Sequence, residues 1–315
     1  MTSEITLFVN PTAGRGRGAR ALGPAAGALR AAGYSVRTVL GSDAADGLAR
    51  ARDAVAGGTG ALIAVGGDGM VSLALQAVAG TDTPLGVVAV GTGNDFARAA
   101  GLPLRDPAAA GALAARALEE GGIRSLDLGR AGDRWFGTVL ASGFDSRVND
   151  RGNRMRWPRG RFRYDAAMLA ELAALRPIPY RIRLDDGPEQ RIEATLVAVG
   201  NGPSYGGGMR ICADARLDDG LFDITVVGGC SRTELLKVFP RVYRGTHLTH
   251  PAVTVHRVAR VTLEADGVTG YADGEPLGPL PLTARVVPGA VRLLSPPGHP
   301  SGRVPAQRGG RPSAQ

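Results

Sequence analysis

The residues best suited to chemistry form a Gly-Gly-Asp-Gly turn at positions 66–69, between an apolar run at 61–65 and a helix-forming segment at 71–79. A strand, a glycine turn and a helix in this order make an anion site, because glycine lets the backbone approach a ligand and the first helical N–H groups point at it. The Asp68 carboxylate would repel phosphate unless a cation lay between them, so the turn favours a Mg²⁺-nucleotide. On the turn alone, an ordinary strand-to-helix connection remains an open alternative.

A second pair of acidic residues, Asp273 and Glu275, flanks Gly274 near the other end of the chain. Two carboxylates at this spacing on a turn can reach one site, where one of them could accept the proton of an alcohol. Asp-Gly is also a strong signal for a type I′ hairpin, in which both acids would be solvated. The residues by themselves leave both interpretations open.

The first part of the chain alternates strand-like and helix-like segments. Strands are predicted at 5–9, 34–40, 61–65 and 85–90, and helices at 19–32, 44–56 and 71–79. Such alternation predicts a parallel, doubly wound sheet, in which ligands bind at the carboxyl ends of the strands. Glycine-rich turns at 10–18, 66–69 and 91–95 each follow a strand, so we expect them to meet at one edge of the sheet.

After Gly121 the pattern changes to strands without intervening helices, which is typical of an antiparallel sandwich or barrel. Strands are predicted at 125–130, 135–141, 180–184, 191–199, 222–227, 253–256, 260–265 and 283–287, with helices only at 164–175 and, after a Ser231 cap, at 232–243. The fold class is therefore α/β, with a doubly wound nucleotide domain at 1–124 and an antiparallel β-sandwich domain at 125–294. The segment 295–315 is rich in Pro, Gly, Ser and Arg and is predicted to be a disordered tail.

Six motifs occur in an order that resembles the diacylglycerol kinase catalytic family, and above all its bacterial soluble branch of lipid kinases. They are Asn10-Pro11-x-x-Gly14, the turn at 66–69, the segment Gly-Thr-Gly-Asn-Asp-Phe-Ala-Arg at 91–98, Gly-Gly-Gly-Met at 206–209, Leu-Asp-Asp-Gly-Leu-Phe-Asp at 217–223 and Asp-Gly-Glu-Pro-Leu at 273–277. The resemblance covers residues 5 to about 294. The NAD kinase and phosphofructokinase families share the turn at 66–69, so the first domain should be NAD kinase/phosphofructokinase-like. The later motifs favour a lipid kinase.

This resemblance implies an ATP- and Mg²⁺-dependent kinase that phosphorylates the hydroxyl of diacylglycerol to give phosphatidic acid. It implies that Glu275 is the general base, with Asp273 beside it, and that Asp68 helps to hold Mg²⁺-ATP. A second, structural Mg²⁺ would lie on the carbonyls of Arg216 and Leu221 and the carboxylate of Asp219. The residues implied to line the nucleotide site are Asn10, Pro11, Thr12, Ala13, Gly14, Thr38, Gly66, Gly67, Asp68, Gly69, Met70, Val71, Ser72 and Thr92.

The chain departs from the family pattern at Met70, which stands where threonine is usual after the Gly-Gly-Asp-Gly turn. A thioether cannot donate the hydrogen bond that a hydroxyl could give to phosphate. We therefore expect weaker nucleotide binding or a subfamily variant. The alternatives are a kinase of another lipid alcohol, such as a sphingoid or ceramide-like lipid, an NAD kinase, or a catalytically weak lipid- or nucleotide-binding protein.

The 315 residues carry a net charge of +8, and their only cysteines are Cys212 and Cys230, which favours a reducing cytoplasm. No apolar stretch reaches membrane-spanning length. Arginines and aromatic residues interleave at 147–164, as expected for a peripheral contact with an anionic membrane surface. The alternatives for this segment are binding of single-stranded nucleic acid and a plain surface loop without a partner. We adopt the membrane interpretation and predict a lipid partner and no nucleic acid. The sequence leaves open whether two copies of the chain form a homodimer.

Overall fold

The computed structural model describes residues 4–10, 13–144, 147–148, 151, 176–229 and 231–296. Its first part alternates strands and helices as the sequence predicts. The elements are β1 (Glu4–Val9), α1 (Ala13–Ala31), β2 (Ser35–Leu40), α2 (Ala44–Ala56), β3 (Leu62–Gly66), α3 (Asp68–Val78), β4 (Leu85–Ala89), α4 (Asp95–Ala99) and α5 (Pro107–Glu120).

Strands β2, β1, β3 and β4 lie side by side in that order and pair in parallel. Every residue of β3 and β4 is buried, as the unbroken apolar runs require of strands covered on both faces. One core, around Phe8, Leu62 and Leu75, lies on one side of the sheet, and another, around Leu7, Leu29 and Ile63, lies on the other. The predicted doubly wound α/β arrangement is confirmed.

Helix α1 begins at Ala13, whereas the sequence predicted a glycine turn at 10–18 and a helix only from residue 19. The predicted start was wrong, although Gly16 within this first part of α1 has a φ of 84°, a left-handed conformation that glycine adopts readily. Each glycine costs a helix about 1 kcal/mol relative to alanine. The packing of the helix on the sheet is carried by Ala21, Ala25 and Leu29, which are buried and lie within the segment that was predicted to be helical.

The second part is dominated by antiparallel strands. Its elements are β5 (Ile123–Ala131), β6 (Arg134–Phe136), β7 (Val139–Gly143), β8 (Ile178–Leu184), β9 (Glu189–Gly200), β10 (Phe222–Gly228), α6 (Arg232–Arg244), a 3₁₀ turn (His247–Thr249), β11 (Val253–Val258), β12 (Arg260–Glu264), β13 (Thr269–Ala272), β14 (Glu275–Pro279) and β15 (Leu282–Leu294). Helix α6 begins at the predicted Ser231 cap, whose side chain and that of Glu234 form a capping box. Phe136, Tyr180 and Phe222 are fully buried in the core of this part.

Strand β15 joins the two parts of the molecule. It pairs antiparallel with β5 and β12, and near its end Leu293 lies opposite Leu85 of β4 in a parallel pairing. The described strands therefore form one hydrogen-bonded sheet, with the path β14-β13-β7-β9-β8-β12-β15-β4-β3-β1-β2. The sequence predicted only residues 283–287 of β15, since its partners are distant in the chain. The domain limits at 124 and 294 stay predictions.

Several predicted segments lie outside the described residues: the helix at 164–175, most of the arginine-rich segment at 147–164, and the tail from residue 297. Within the described ranges, no helix combines the length and the apolar character needed to cross a membrane.

Candidate active site

The turns after β3 and β4 meet at the carboxyl edge of the parallel sheet, and Asn10, which follows β1, lies beside them. The Asn10 N–H lies 3.4 Å from the Val65 carbonyl oxygen, and the Val90 N–H donates to the Gly66 carbonyl at 2.8 Å. Gly67 is the N-cap residue of α3, so the first N–H groups of that helix open onto this edge. The predicted convergence is thus present for the turns at 66–69 and 91–95, whereas Pro11 and Thr12 of the first segment lie outside the described residues.

The turns after β3 and β4 contact each other through their backbones. A Cβ atom placed on Gly91 would lie 2.5 Å from the Gly67 Cα and 2.9 Å from the Asn94 Oδ1. A Cβ on Gly93 would lie 2.5 Å from Oδ2 of Asp68. Glycine is therefore required here for close approach, which explains the repeated glycines of the segment at 91–93.

Asp68, the first residue of α3, reaches across to the start of α4. Its Oδ2 accepts the Asn94 N–H and its Oδ1 accepts the Asp95 N–H, both at 2.7 Å. Burial, and next the negative charge of Asp95, raise the pKa of Asp68 above its ordinary value. Carboxylate oxygens are ligands that Mg²⁺ prefers, but both Asp68 oxygens already accept an N–H, and the described residues around them form no group of three metal-ligating side chains.

Asp95 connects this edge to the glycine loop at 206–208 in the second part of the molecule. The Asp95 carboxylate is buried and accepts the Gly207 N–H at 2.7 Å and the Arg98 Nη1–H at 2.9 Å. Two motifs that lie more than a hundred residues apart in sequence are therefore held together by one side chain.

Asp273 lies in a two-residue hairpin turn between β13 and β14, where Asp273 and Gly274 both have positive φ. Its carboxylate accepts the Gly137 N–H at 2.7 Å, the Thr138 N–H at 2.9 Å and the Thr138 hydroxyl at 2.5 Å. The predicted strand at 135–141 is broken into β6 and β7 at these donors. Prediction of one continuous strand was wrong because these N–H groups turn to a carboxylate instead of a neighbouring strand.

The pKa of Asp273 is raised chiefly by burial and in part by the charge of Asp68. The charge of Asp68, a residue distant in sequence, is thus one of the lesser causes that raise the pKa of Asp273. The turn is the predicted hairpin, but its Asp273 carboxylate is half-buried and hydrogen-bonded to protein donors instead of being solvated, so the hairpin does not exclude a functional role. Glu275, the first residue of β14, has an exposed side chain and lies opposite Ala272.

The other residues implied to line the nucleotide site differ in their position in the fold and in their exposure. Asn10 follows β1, and Ala13 and Gly14 begin α1. Thr38, on β2, and Thr92 are exposed. Met70, Val71 and Ser72 are buried within α3, and Met70 packs in the core with Phe8 and Leu75. The thioether that replaces the usual threonine hydroxyl therefore contributes packing in this structure.

The loop predicted to hold a structural metal carries several acids. Oδ1 of Asp219 accepts the Leu221 N–H at 3.1 Å, and its Oδ2 contacts the Arg257 guanidinium, which also bonds Asp223. Carboxylate and carbonyl oxygens suit Mg²⁺, but Arg257 already neutralises part of this charge. Over the residues that the structure describes, no group of three or more His, Cys, Asp or Glu side chains is placed to hold a metal. The metal at Arg216, Asp219 and Leu221 stays a prediction.

An apolar pocket opens beside the loop at 205–209. It lies between α6, β9 and β10; the cavity itself is about 40 Å³, and the space amounts to about 490 Å³ only when its open mouth is included. Its walls are apolar apart from three residues with polar groups. The lining residues are Phe144, Thr195, Leu196, Tyr205, Met209, Ile211, Val227, Leu235, Val238, Phe239, Val242 and His247.

Sequence reasoning missed Thr138 and the buried Asn201, whose amide Nδ2 donates to the Asp127 and Gly137 carbonyls at 2.9 Å each. Asn201 follows directly after the long apolar run of β9, and a polar residue at the end of a buried strand is a signal that could have found it. Thr138 carries no such signal, since a threonine within a strand-like segment is ordinary.

Two family models match the chain. The diacylglycerol kinase catalytic domain matches residues 4–131, and the YegS C-terminal NAD kinase beta sandwich-like domain matches residues 138–295. The "Diacylglycerol kinase" of Mycobacterium tuberculosis is 46% identical over 298 residues, which cover 93% of this chain and 95% of the relative. A Pseudomonas fluorescens protein named "Probable lipid kinase YegS-like" is 34% identical over 279 residues, 87% of this chain and 90% of its own.

A crystal structure of a diacylglycerol kinase from Bacillus anthracis has the same fold. It superposes with a TM-score of 0.71 at 23% identity and covers 94% of this chain and 97% of its own. Together with the two matched domains and the convergent acidic motifs, these similarities establish the family. The chain belongs to the diacylglycerol kinase catalytic domain family and is a lipid kinase.

Proposed function

We propose that this kinase transfers the γ-phosphate of ATP to the hydroxyl of diacylglycerol and so produces phosphatidic acid. The observation that carries the proposal is the junction between the Asp68 edge and the apolar pocket. Asp95 donates its N–H to Asp68 and accepts the Gly207 N–H, and the adjoining residues Tyr205 and Met209 line the pocket. A phosphate-binding edge and an apolar site share one loop, as phosphorylation of a lipid alcohol requires.

In this mechanism the glycine turns hold the phosphates through backbone N–H groups and the N-terminus of α3. Bound Mg²⁺, held with the help of Asp68, would neutralise charge on the phosphates. The lipid oxygen bonds to the γ-phosphorus while the bond from that phosphorus to the ADP oxygen breaks. Glu275 accepts the hydroxyl proton, and Asp273, fixed by Gly137 and Thr138, holds the turn that presents Glu275.

The pocket is proposed to receive an acyl chain of the lipid. Its lining is aliphatic and aromatic, and burial of apolar surface contributes about 25 cal/mol per Å². A polar nicotinamide dinucleotide would gain little from such walls. We further propose that the enzyme meets its lipid at an anionic cytoplasmic membrane surface, a choice supported by the net charge of +8.

The acceptor is tested by following labelled γ-phosphate from ATP into diacylglycerol, ceramide, sphingosine and NAD, with the lipids in mixed micelles. We expect label in phosphatidic acid. Label in another lipid would change the substrate, and label in NAD would refute the lipid assignment. Nucleotide binding without transfer to any acceptor would favour the catalytically weak binding protein.

Filling the pocket tests the acyl-chain site. Val227 is buried on β10 and lines the pocket, so Val227→Phe should lower kcat/KM for long-chain diacylglycerol by about tenfold, since it removes the space that the chain needs. The matched control is Val255→Phe on the neighbouring strand β11, where the side chain is exposed. Equal activity of both variants on long and short chains would contradict the pocket assignment.

The Thr138 hydroxyl predicts a change in pH dependence. Its hydrogen bond lowers the pKa of Asp273, against the larger effect of burial, so Thr138→Val should raise that pKa further. If activity needs the ionised Asp273, the acid limb of kcat/KM then moves to higher pH. Thr138→Ser keeps the hydroxyl and should leave the limb in place. An unchanged acid limb in Thr138→Val would show that Asp273 does not titrate in the active range.

A further inference from the structure

Asn201 is a fully buried polar residue that has no part in the mechanism proposed above. It follows directly after the buried end of β9. Its Nδ2 donates to the Asp127 and Gly137 carbonyl oxygens at 2.9 Å each, and because carbonyls can only accept, the amide nitrogen must face them. Its Oδ1 has no hydrogen-bond partner among the residues that the structure describes, so within them the side chain acts only as a donor.

The Gly137 carbonyl belongs to the same peptide group as the Thr138 N–H. At one end of this group the oxygen accepts from Asn201, and at the other end the N–H donates to Oδ1 of Asp273 at 2.9 Å. The next carbonyl, that of Thr138, accepts the N–H groups of Asn201 and Gly202 at 2.8 Å each. Asn201 therefore holds both carbonyls of the segment between β6 and β7 that binds the Asp273 carboxylate.

Packing confines the same segment. A Cβ placed on Gly137 would lie 2.6 Å from Cδ2 of Phe96 and 2.9 Å from Cδ1 of Leu75. Phe96 lies on α4 and Leu75 on α3, the two helices that begin at the carboxyl edge of the parallel sheet. The segment that Asn201 holds is thus in contact with both helices, so its position also sets where Asp273 lies relative to that edge.

The hydrogen bonds through this peptide group also affect the charge state of Asp273. Hydrogen bonds in a chain polarise one another, so a donor on the Gly137 carbonyl strengthens the donation from the Thr138 N–H. A stronger donor favours the ionised carboxylate, against the larger effect of burial. Loss of the Asn201 donor should therefore raise the pKa of Asp273.

We infer that Asn201 is a positioning residue for the reaction: through the peptide group between Gly137 and Thr138 it fixes the Asp273 turn that presents Glu275. This inference rests on the proposed function, because it takes that turn as part of the catalytic site. Asn201 acts through a backbone group and not on the lipid or the nucleotide.

Asn201→Leu tests the inference, since leucine has a similar branched shape and no donor. We expect kcat for lipid phosphorylation to fall about tenfold, because the acidic turn shifts, and KM for ATP to stay within about twofold of wild type. The acid limb of kcat/KM should move to higher pH. The variant leaves in place the charged and titratable residues on the surrounding elements: Asp68 on α3, Asp95 and Arg98 on α4, Arg134 on β6, Tyr271 on β13 and Glu275 on β14.

Thr59→Val is the matched control. Thr59 is also buried, and its hydroxyl lies 3.2 Å from the Glu4 carbonyl oxygen and 3.1 Å from that of Ala61, at the opposite, amino edge of the parallel sheet. Valine has the same shape without the hydroxyl, so this variant should lose stability but keep the wild-type kcat and acid limb. If both variants lost kcat equally and neither acid limb moved, or if Asn201→Leu behaved as wild type, the positioning role would be wrong.

A measurement on the wild type keeps the inference testable if Asn201→Leu does not fold. The side-chain amide resonances of Asn201 should shift with pH together with the Thr138 backbone amide over the range of the acid limb, because one peptide group connects them to Asp273. Asn201 resonances that stay constant over that range overturn the inference and leave the proposed function intact. If the wild type phosphorylates no lipid, the proposed function fails, whereas the two resonances still report whether Asn201 and Asp273 are coupled.

Discussion

Asp68→Asn is expected to lower kcat/KM for lipid phosphorylation by about 10²- to 10³-fold, the range seen when one electrostatic contact to the transition state is lost. The amide is nearly the same size as the carboxylate but carries no charge, so it would hold Mg²⁺-ATP poorly. One of its two polar atoms can still accept an N–H from Asn94 or Asp95, which limits the structural damage. The measurement is steady-state transfer of γ-phosphate to diacylglycerol in mixed micelles.

The accompanying change in stability should be small. The second N–H, no longer matched by an acceptor, costs about 1–3 kcal/mol. Removal of a buried charge that Asp95 repels offsets part of that cost. Asp43→Asn is the matched control: Asp43 also accepts an N–H at the start of a helix, where asparagine caps as well as aspartate. If Asp68→Asn kept wild-type kcat/KM, the role of Asp68 in phosphoryl transfer would be wrong.

The sequence was sufficient for the parallel half of the fold because the signals there are local. Strands β1, β3 and β4 are short apolar runs, β3 and β4 end at glycine turns, and the parallel arrangement follows from the helices between the strands. The meeting of those turns at one edge is then a geometric consequence. The later motifs were recognised through their resemblance to the family and not from such local signals.

Features built from distant segments could not be predicted in the same way. The carboxylate of Asp273 is held by donors 135 and 136 residues earlier in the chain, so the Asp-Gly turn by itself was consistent with a hairpin whose acids are solvated. The pocket draws its walls from several strands, a loop and a helix, none of which has an unusual composition by itself. Strand β15 was underestimated because its length is fixed by its partners β4, β5 and β12.

Gly91→Ala is expected to damage both stability and activity, because it separates the two turns that form the phosphate edge. The added Cβ would lie 2.5 Å from the Gly67 Cα, and both atoms belong to the backbone framework, so neither can rotate away. Overpacking of this kind costs about 1–3 kcal/mol. Displacement of the turn by several tenths of an ångström should lower kcat/KM by about 10²-fold, since misplacement of reacting groups by about 1 Å has an effect of that size.

Gly27→Ala in α1 is the matched control, because the same change of glycine to alanine is expected there to raise stability. No atom lies within 4 Å of the added Cβ, and alanine favours the helix by about 1 kcal/mol, so this variant should be slightly more stable and fully active. Urea unfolding and kcat/KM of both variants measure the contrast. A Gly91→Ala enzyme with wild-type stability and rate would mean that the turns at 66–69 and 91–95 do not need their close contact. The phosphate site would then have to be formed by other groups, because the backbone N–H groups of the two turns can serve one ligand only while the turns stay in contact.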